Sequence, residues 1–458
     1  MARLVISAAH KSSGKTTVSI GLCAALAARG LKVQPFKKGP DYIDPMWLSA
    51  AAGRTCRNLD FYTMAVADIR ETFGRHAHDA DISLIEGNKG LYDGVDLEGS
   101  NSTAALARWL EAPVVLVIDT MGMTRGIAPL LLGYRSFEPD LRIGGVILNK
   151  VSGPRHEKKL RDTVAHYTDI PVLGAIQRSS TMEIVERHIG LIPANEADET
   201  AAVVGAIRDT VAAQVDLDAL LALARSVPEC CHEATPLPAF PPPSLRIGIA
   251  RDAAFGFYYP DDLDALRLGG AELVPIDTFR DARLPPDLDG LFIGGGFPET
   301  NAAALEANAS LRADIRRAIE TGLPTYAECG GLMYLSRAIV WQGHRHEMVG
   351  VLPGAAVMHD RPMGRGYVRI RPTDALPWPA VESGPGVLAG HEFHHSALEE
   401  IDSAPTYAYD VLRGAGIDGK HDGIVIHNCV ANYAHLRSVG AGAWAPRFLA
   451  FVRQIKRR

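Results

Sequence analysis

Six short apolar runs recur through the first half of the chain: Leu4–Ala8, Val33–Phe36, Ile82–Glu86, Val114–Asp119, Gly145–Asn149 and Val172–Ile176. They are rich in Val, Ile and Leu and nearly unbroken, the pattern of strands buried on both faces. Helix-like stretches such as Thr16–Arg29 lie between them. A strand covered on both faces needs helices on both sides, so the pattern predicts an α/β fold with a parallel sheet. It stops at Val227–Ser244, VPECCHEATPLPAFPPPS, where six prolines in eighteen residues cannot continue a helix or a central strand. It then restarts, with strands expected at Arg246–Ala250, Glu272–Pro275, Gly290–Ile293 and Pro324–Ala327, and helices at Pro260–Gly269 and Gly330–Arg337. The reading is two α/β domains, 1–226 and 245–458, joined by a proline-rich linker at 227–244, each large enough for its own core.

Composition narrows the function class. A net charge of −6 gives no support to non-specific nucleic-acid binding, which needs dense Lys and Arg. No run of about 18 uncharged apolar residues offers a membrane span, and Met1–Ser7 is no secretion signal. Six cysteines in 458 residues do not make a disulfide framework, so the expected setting is the cytoplasm, with free thiols. A homodimer is compatible with the sequence.

The first strand runs into Ala9-His10-Lys11-Ser12-Ser13-Gly14-Lys15-Thr16-Thr17. A phosphate loop needs backbone N–H groups converging on anionic oxygens, a lysine for the outer phosphates and a hydroxyl for Mg²⁺. Ser13, Gly14, Lys15, Thr16 and Thr17 supply these parts between a strand and a helix, although Ala9 stands where the first glycine is usual. The plainer reading is a helix start capped by Ser13. Glu86, ending its strand, is the candidate metal carboxylate beside Thr16, and Asp119 is a weaker one. Asn149 could set an amide against adenine. Lys37-Lys38-Gly39-Pro40-Asp41-Tyr42-Ile43-Asp44-Pro45 places two lysines and two aspartates in a rigid loop, suited to an anionic substrate plus a metal; its plainer reading is a solvated turn.

In the second half, Thr325-Tyr326-Ala327-Glu328-Cys329-Gly330-Gly331 puts a cysteine between a strand and a helix. The paired glycines permit a sharp turn, and the following helix N-terminus is expected to lower the thiol pKa. Gly294-Gly295-Gly296, after another strand, and Gly330 could aim N–H groups at an oxyanion. His427 and His435 are candidate bases. His391-Glu392-Phe393-His394-His395 matches a zinc pattern that requires a helix, but glycines upstream and the alternation around Phe393 point to a strand. A rival of another class is a regulatory P-loop ATPase fused to an inactive second module.

The phosphate loop, Lys38-Gly39-Pro40-Asp41-Tyr42-Ile43-Asp44-Pro45 and Glu328-Cys329-Gly330-Gly331-Leu332-Met333-Tyr334-Leu335 together resemble one family, cobyrinate a,c-diamide synthase. The likeness extends to Glu86-Gly87-Asn88-Lys89-Gly90-Leu91-Tyr92-Asp93-Gly94, Arg251–Phe255 and Gly390–His394. It covers nearly the whole chain, and the first domain also resembles dethiobiotin synthetase. The resemblance implies a P-loop synthetase domain followed by a class I glutamine amidotransferase domain. ATP, Mg²⁺ and L-glutamine would serve to amidate the a and c acetates of a tetrapyrrole, cobyrinate or hydrogenobyrinate. It implies Cys329 as nucleophile and His435 as base; Lys15, Thr16 and Glu86 on phosphates and Mg²⁺; and Lys37, Asp41, Asp44 and Asp93 at the substrate carboxylate. Many amidotransferases carry a glutamate two residues after the histidine. Arg437 stands there, so a Cys–His dyad without a third member is implied. Asn88-Lys89 departs from the Val-Met of the corrin-acting members, and relatives act on sirohydrochlorin, its nickel complex or siroheme. Lys37, Lys38 and Lys89 are expected to meet the polyanionic macrocycle.

Overall fold

A computed structural model describes residues 1–182, 184, 186–187, 190–191, 193–194, 200–228, 236–380 and 386–457. The chain divides into two compact units, Met1–Leu237 and Pro238–Arg458. Residues 229–235 of the proline-rich stretch lie outside the described residues.

In the first unit, β1 (Arg3–Ala8), β2 (Val33–Lys38), β3 (Arg57–Leu59), β4 (Ile82–Glu86), β5 (Val114–Asp119), β6 (Ile143–Val151) and β7 (Val172–Gln177) form one sheet in the order β3-β2-β4-β1-β5-β6-β7. All its pairings are parallel. Every residue of β1, β2 and β4 is buried, which fits their mostly apolar make-up, although β2 also buries Gln34, Lys37 and Lys38. The sequence gives no sign of β3, a three-residue strand reading Arg-Asn-Leu. Helix α1 (Lys15–Ala28) is buried continuously from Val18 to Leu26, as a helix covered on all sides must be. It lies so close to the helix Thr200–Gln214 that a Cβ on Gly21 would meet Val211 Cγ2 at 2.4 Å. Because the strands are parallel, the ends of β1, β2 and β4 and the loops after them share one edge of the sheet, where ligands bind in such folds.

The second unit holds a nine-stranded sheet. Five parallel strands lie in the order Ala271–Ile276, Leu245–Ala250, Gly290–Ile293, Thr325–Glu328, Cys429–Asn432. Four antiparallel ones, His421–Ile426, Thr406–Arg413, Gly364–Pro372 and Leu388–His394, extend it. Side chains alternate across it: Ile293 and Ala327 face one core with Leu332 and Leu335. Phe292 and Tyr326 face another with Trp444 and Phe448, from the closing helix Trp444–Lys456. His391 and His394 lie on a strand, as the alternation predicts. The rings of His391 and His395, four residues apart along extended chain, have separate neighbours, His435 and the His359 carbonyl. No described helix is long and apolar enough to cross a membrane.

Candidate active sites

The first site grows from β1, β2 and β4. The loop after β1 enters α1 through Gly14, whose φ of +83° is left-handed; a Cβ there would meet Asn149 Nδ2 at 2.2 Å. Asn149 Nδ2 donates to the Ser13 carbonyl (2.9 Å), so its amide nitrogen braces the loop in this state rather than facing outward. Ser13 does not cap the helix; its hydroxyl donates to the His10 carbonyl. Lys15, Thr16 and Thr17 form the first turn of α1, all half-buried.

Thr16 Oγ1 reaches Glu86 Oε1 (2.7 Å) and Asp44 Oδ2 (3.2 Å). Lys15 Nζ lies 3.6 Å from Glu86 Oε1. Lys37, at 1% exposure, turns inward: its ammonium pairs with Asp44, with Glu86 Oε1 (3.2 Å) and with Asp41 Oδ2 (3.6 Å). Burial alone would lower the Lys37 pKa, but Asp44, Glu86 and Asp41 together hold it well above its ordinary value. Burial pushes the Asp41 carboxyl up, the neighbouring Asp44 adding to it. Asp44 feels the same burial, yet Lys37 holds it below the usual range. The loop carrying these aspartates is no solvated turn. Asn58 Nδ2 donates to the carbonyls of Gly39 (2.9 Å) and Asp41 (2.7 Å), and Asp41 Oδ1 accepts from the Ile43 and Asp44 amides at the start of the helix Ile43–Ala52.

Other expectations are placed differently. Asp93 is exposed and accepts from the Gly90 amide (2.9 Å), outside the hydrogen bonds of the Thr16–Glu86 cluster. Asp119 pairs with Lys150 (2.8 Å). Of the three lysines expected to meet a polyanion, Lys37 is committed to carboxylates. Lys38 is buried, its pKa lowered by that burial to about 8 against the opposing charge of Asp60, and Lys89 is exposed.

The donor set suits Mg²⁺. Glu86 is 1% exposed and its Oε2 has no hydrogen-bond partner among the described residues, beside a hydroxyl and a second carboxylate. Hard oxygens held this way fit a small divalent cation that keeps waters and phosphate in its shell; Thr16, Glu86 and Asp44 are the residues that could hold it.

The second site forms where the parallel strands Thr325–Glu328 and Cys429–Asn432 end side by side, with Glu328 paired to Asn432 and the Cys329 amide donating to the Asn432 carbonyl (2.8 Å). Cys329 sits at φ +47°, ψ −99° before the helix Gly330–Leu335. Such strain in a non-glycine residue costs about 1–3 kcal/mol and collects at functional turns. A Cβ on Gly330 would come 3.0 Å from the Gly296 nitrogen, and one on Gly295 would meet His435 Cε1 at 2.7 Å and Nε2 at 3.3 Å. Gly296 has φ +157°, and any Cβ would collide with the Ala254 carbonyl at 1.9 Å. The structure therefore gathers Cys329, His435, Gly295, Gly296 and Gly330 in one place, while His427 lies in a tight turn with φ +52°.

Two expectations are corrected here. The thiol is not lowered: Cys329 is 7% exposed, and burial pushes its pKa well above the ordinary range, Glu299 adding to this and the Gly330 N–H opposing it. A six-residue helix has little dipole to set against that burial. At pH 8, Cys329 should therefore alkylate with iodoacetamide at least about tenfold more slowly than a free thiol of pKa ~8.5. The rate should climb as pH rises above that value; rapid labelling already on a plateau at pH 7, read by peptide mass spectrometry, would contradict this. Second, His435 is not without a carboxylate. Its Nδ1 lies 3.2 Å from Glu328 Oε2, a residue the sequence reading passed over. Arg437 is turned away, 2.8 Å from Asp261 and stacked on Tyr259 at 4.5 Å. The Tyr259 hydroxyl bonds His391 Nδ1 (3.2 Å), and the His391 ring stacks on His435 at 4.9 Å. Asp422 fixes the approach to His435 by accepting from the Tyr433 and Ala434 amides.

Comparison with known proteins places both domains in one family. Residues 5–192 match the CobQ/CobB/MinD/ParA nucleotide binding domain, and residues 246–440 the CobB/CobQ-like glutamine amidotransferase domain. Over 99% of its length the chain is 49% identical to the cobyrinate a,c-diamide synthase of Magnetococcus marinus, spanning 97% of that protein. The chain belongs to the cobyrinate a,c-diamide synthase family. Family members from Methanosarcina acetivorans (42% identity, 95% of this chain, 92% of the relative) and Dehalococcoides mccartyi (41%, 95% and 94%) share the same extent. The family settles the class of enzyme as a glutamine amidotransferase ligase with a nucleotide-binding domain, which sets aside the regulatory-ATPase reading.

Proposed function

We propose that this enzyme amidates the a and c acetate carboxylates of cobyrinate (or hydrogenobyrinate), using ATP and glutamine. A carboxylate resists attack because its oxygen is a poor leaving group. Transfer of the ATP γ-phosphoryl group to that oxygen releases ADP and leaves an acyl phosphate. Ammonia then adds at the carbonyl carbon, inorganic phosphate departs with the C–O bonding pair, and a proton lost from nitrogen completes the amide. The observation that carries this reading is the convergence of Lys15, Thr16, Lys37 and Asp44 on the buried Glu86 beside a glycine-turned loop. Mg²⁺ bound by Thr16, Glu86 and Asp44 would offset phosphate charge. Lys15 would follow the outer phosphates, and Lys37 would hold the aspartates of the following loop in position. Of Lys37, Lys38 and Lys89, the exposed Lys89 is the one accessible to a polyanionic macrocycle.

Free ammonia is scarce near pH 7, where ammonium dominates. His435 takes the proton of the Cys329 thiol as sulfur attacks the glutamine carboxamide. The oxyanion is met by N–H groups of the Gly295–Gly296 strand and Gly330, ammonia leaves with the returned proton, and water releases glutamate from the thioester.

The test is mass spectrometry of the product after incubation with ATP, Mg²⁺, glutamine and each candidate tetrapyrrole. Cobyrinate should gain two amides while sirohydrochlorin, its nickel complex and siroheme remain unchanged. Amidation of one of the latter in place of cobyrinate would overturn the substrate assignment.

A further inference from the structure

We propose that Glu328 is the positioning carboxylate for His435, supplying from the strand before the nucleophile what position 437 lacks. The inference rests on the reading of Cys329 and His435 as nucleophile and base. Glu328 is 2% exposed and all its described hydrogen bonds serve one arrangement. Oε1 accepts from the Tyr326 hydroxyl (2.7 Å) and the Leu436 amide (3.1 Å), and Oε2 faces His435 Nδ1 (3.2 Å). Tyr326 and Glu328 are two residues apart on one strand and so share a face, which builds the supporting hydroxyl into the element that carries the carboxylate. The Leu436 amide ties the same side chain to the backbone just after the base. One carboxylate thus couples the strand leading into Cys329 to the turn bearing His435.

The chemistry needs this. A carboxylate at Nδ1 fixes the tautomer with the proton on Nδ1, leaving Nε2 bare. Nε2 is the nitrogen on the Gly295 side of the ring, where a thiol proton must be collected. When His435 takes that proton, the imidazolium forms on a ring that is only 3% exposed, and Glu328 offsets its charge as the buried aspartate of a serine-protease triad does. His391, stacked on the ring and bonded to Tyr259, limits rotation from the other side. Its own pKa is held well below the ordinary value, by burial first and then by His435 and Arg437, so it adds no cation to compete with an imidazolium.

Glu328→Gln keeps the shape but turns an amide N–H₂ toward Nδ1 when its oxygen retains the Tyr326 and Leu436 donors, which forces the proton to Nε2. Glutamine-driven kcat should fall by roughly 10²-fold or more, with KM for glutamine within about threefold. Histidine-selective ¹⁵N NMR, with His435 assigned by its loss in His435→Gln, should show Nδ1–H in the wild type and Nε2–H in the variant. Glu328→Asp, which keeps the charge on a shorter arm, should retain the Nδ1–H signature at reduced kcat. A wild-type Nε2–H tautomer overturns the proposal even if no variant folds. So does a Glu328→Gln enzyme with kcat within threefold of wild type. Retention of glutamine-driven turnover in Cys329→Ala would instead sink the underlying reading, so the two failures are distinguishable.

Discussion

Cys329→Ala is expected to abolish glutamine-driven amidation, by roughly 10⁴-fold or more as for loss of a covalent nucleophile, while amidation driven by high ammonium persists. The thiol stands on a strained turn whose geometry is held by the strand pairing beneath it and by the Asn432 carbonyl. Alanine keeps the Cβ and the backbone and removes only sulfur. Removing a buried sulfur from this turn leaves the nine-stranded sheet and its two cores in place, so the variant should fold. The measurement is the product formation rate at saturating glutamine and, separately, at saturating ammonium chloride. Equal loss with both nitrogen sources would mean that Cys329 serves the fold or the activation step and not glutamine hydrolysis.

Glu86→Gln should fail with either nitrogen source. Glu86 accepts from Thr16 and lies beside Lys15 and Lys37, and its second oxygen is buried with no hydrogen-bond partner among the described residues, as the proposed Mg²⁺ role requires. Glutamine replaces one ligand oxygen by an N–H₂ that repels both lysines and cannot bind a hard cation. Several kcal/mol of charge stabilisation on the transferring phosphoryl group corresponds, at about 1.36 kcal/mol per decade, to a loss of roughly 10²-fold or more in kcat. Glutaminase activity at Cys329 should survive. An enzyme that still consumes ATP and forms amide at the wild-type rate would place the metal and phosphate elsewhere.

The two variants divide the molecule as the sequence does, and the division was legible for physical reasons. Doubly buried parallel strands are mostly apolar, so β1, β4 and β5 could be read directly, and Gly14-Lys15-Thr16 and Cys329-Gly330-Gly331 announce turns that few other residues can make. What escaped is what depends on partners distant in sequence. The strand β3 has no apolar run because its residues serve the loop beside it, Asn58 holding Gly39 and Asp41. Lys37 reads as a surface cation in a polar motif, yet it is consumed neutralising three carboxylates. The raised thiol pKa of Cys329 follows from burial, which a local motif does not reveal. Glu328 was in plain view next to the cysteine. Its contact with His435 spans 107 positions, whereas position 437, two residues after the histidine, carries an arginine. Alternation along the strand was the one available signal, since it puts Glu328 on the face of Tyr326 and away from the core that holds Ala327.

The central claim is that nitrogen freed by Cys329 ends in an amide made from an ATP-activated carboxylate. The most direct measurement is the isotopic content of the corrin product formed from cobyrinate, ATP, Mg²⁺ and glutamine labelled with ¹⁵N at the side-chain amide. Two labelled amide nitrogens per product, with ADP, phosphate and glutamate formed in equal amounts to the amide, is the predicted result. A product carrying no label, or one formed without ATP consumption, would contradict it.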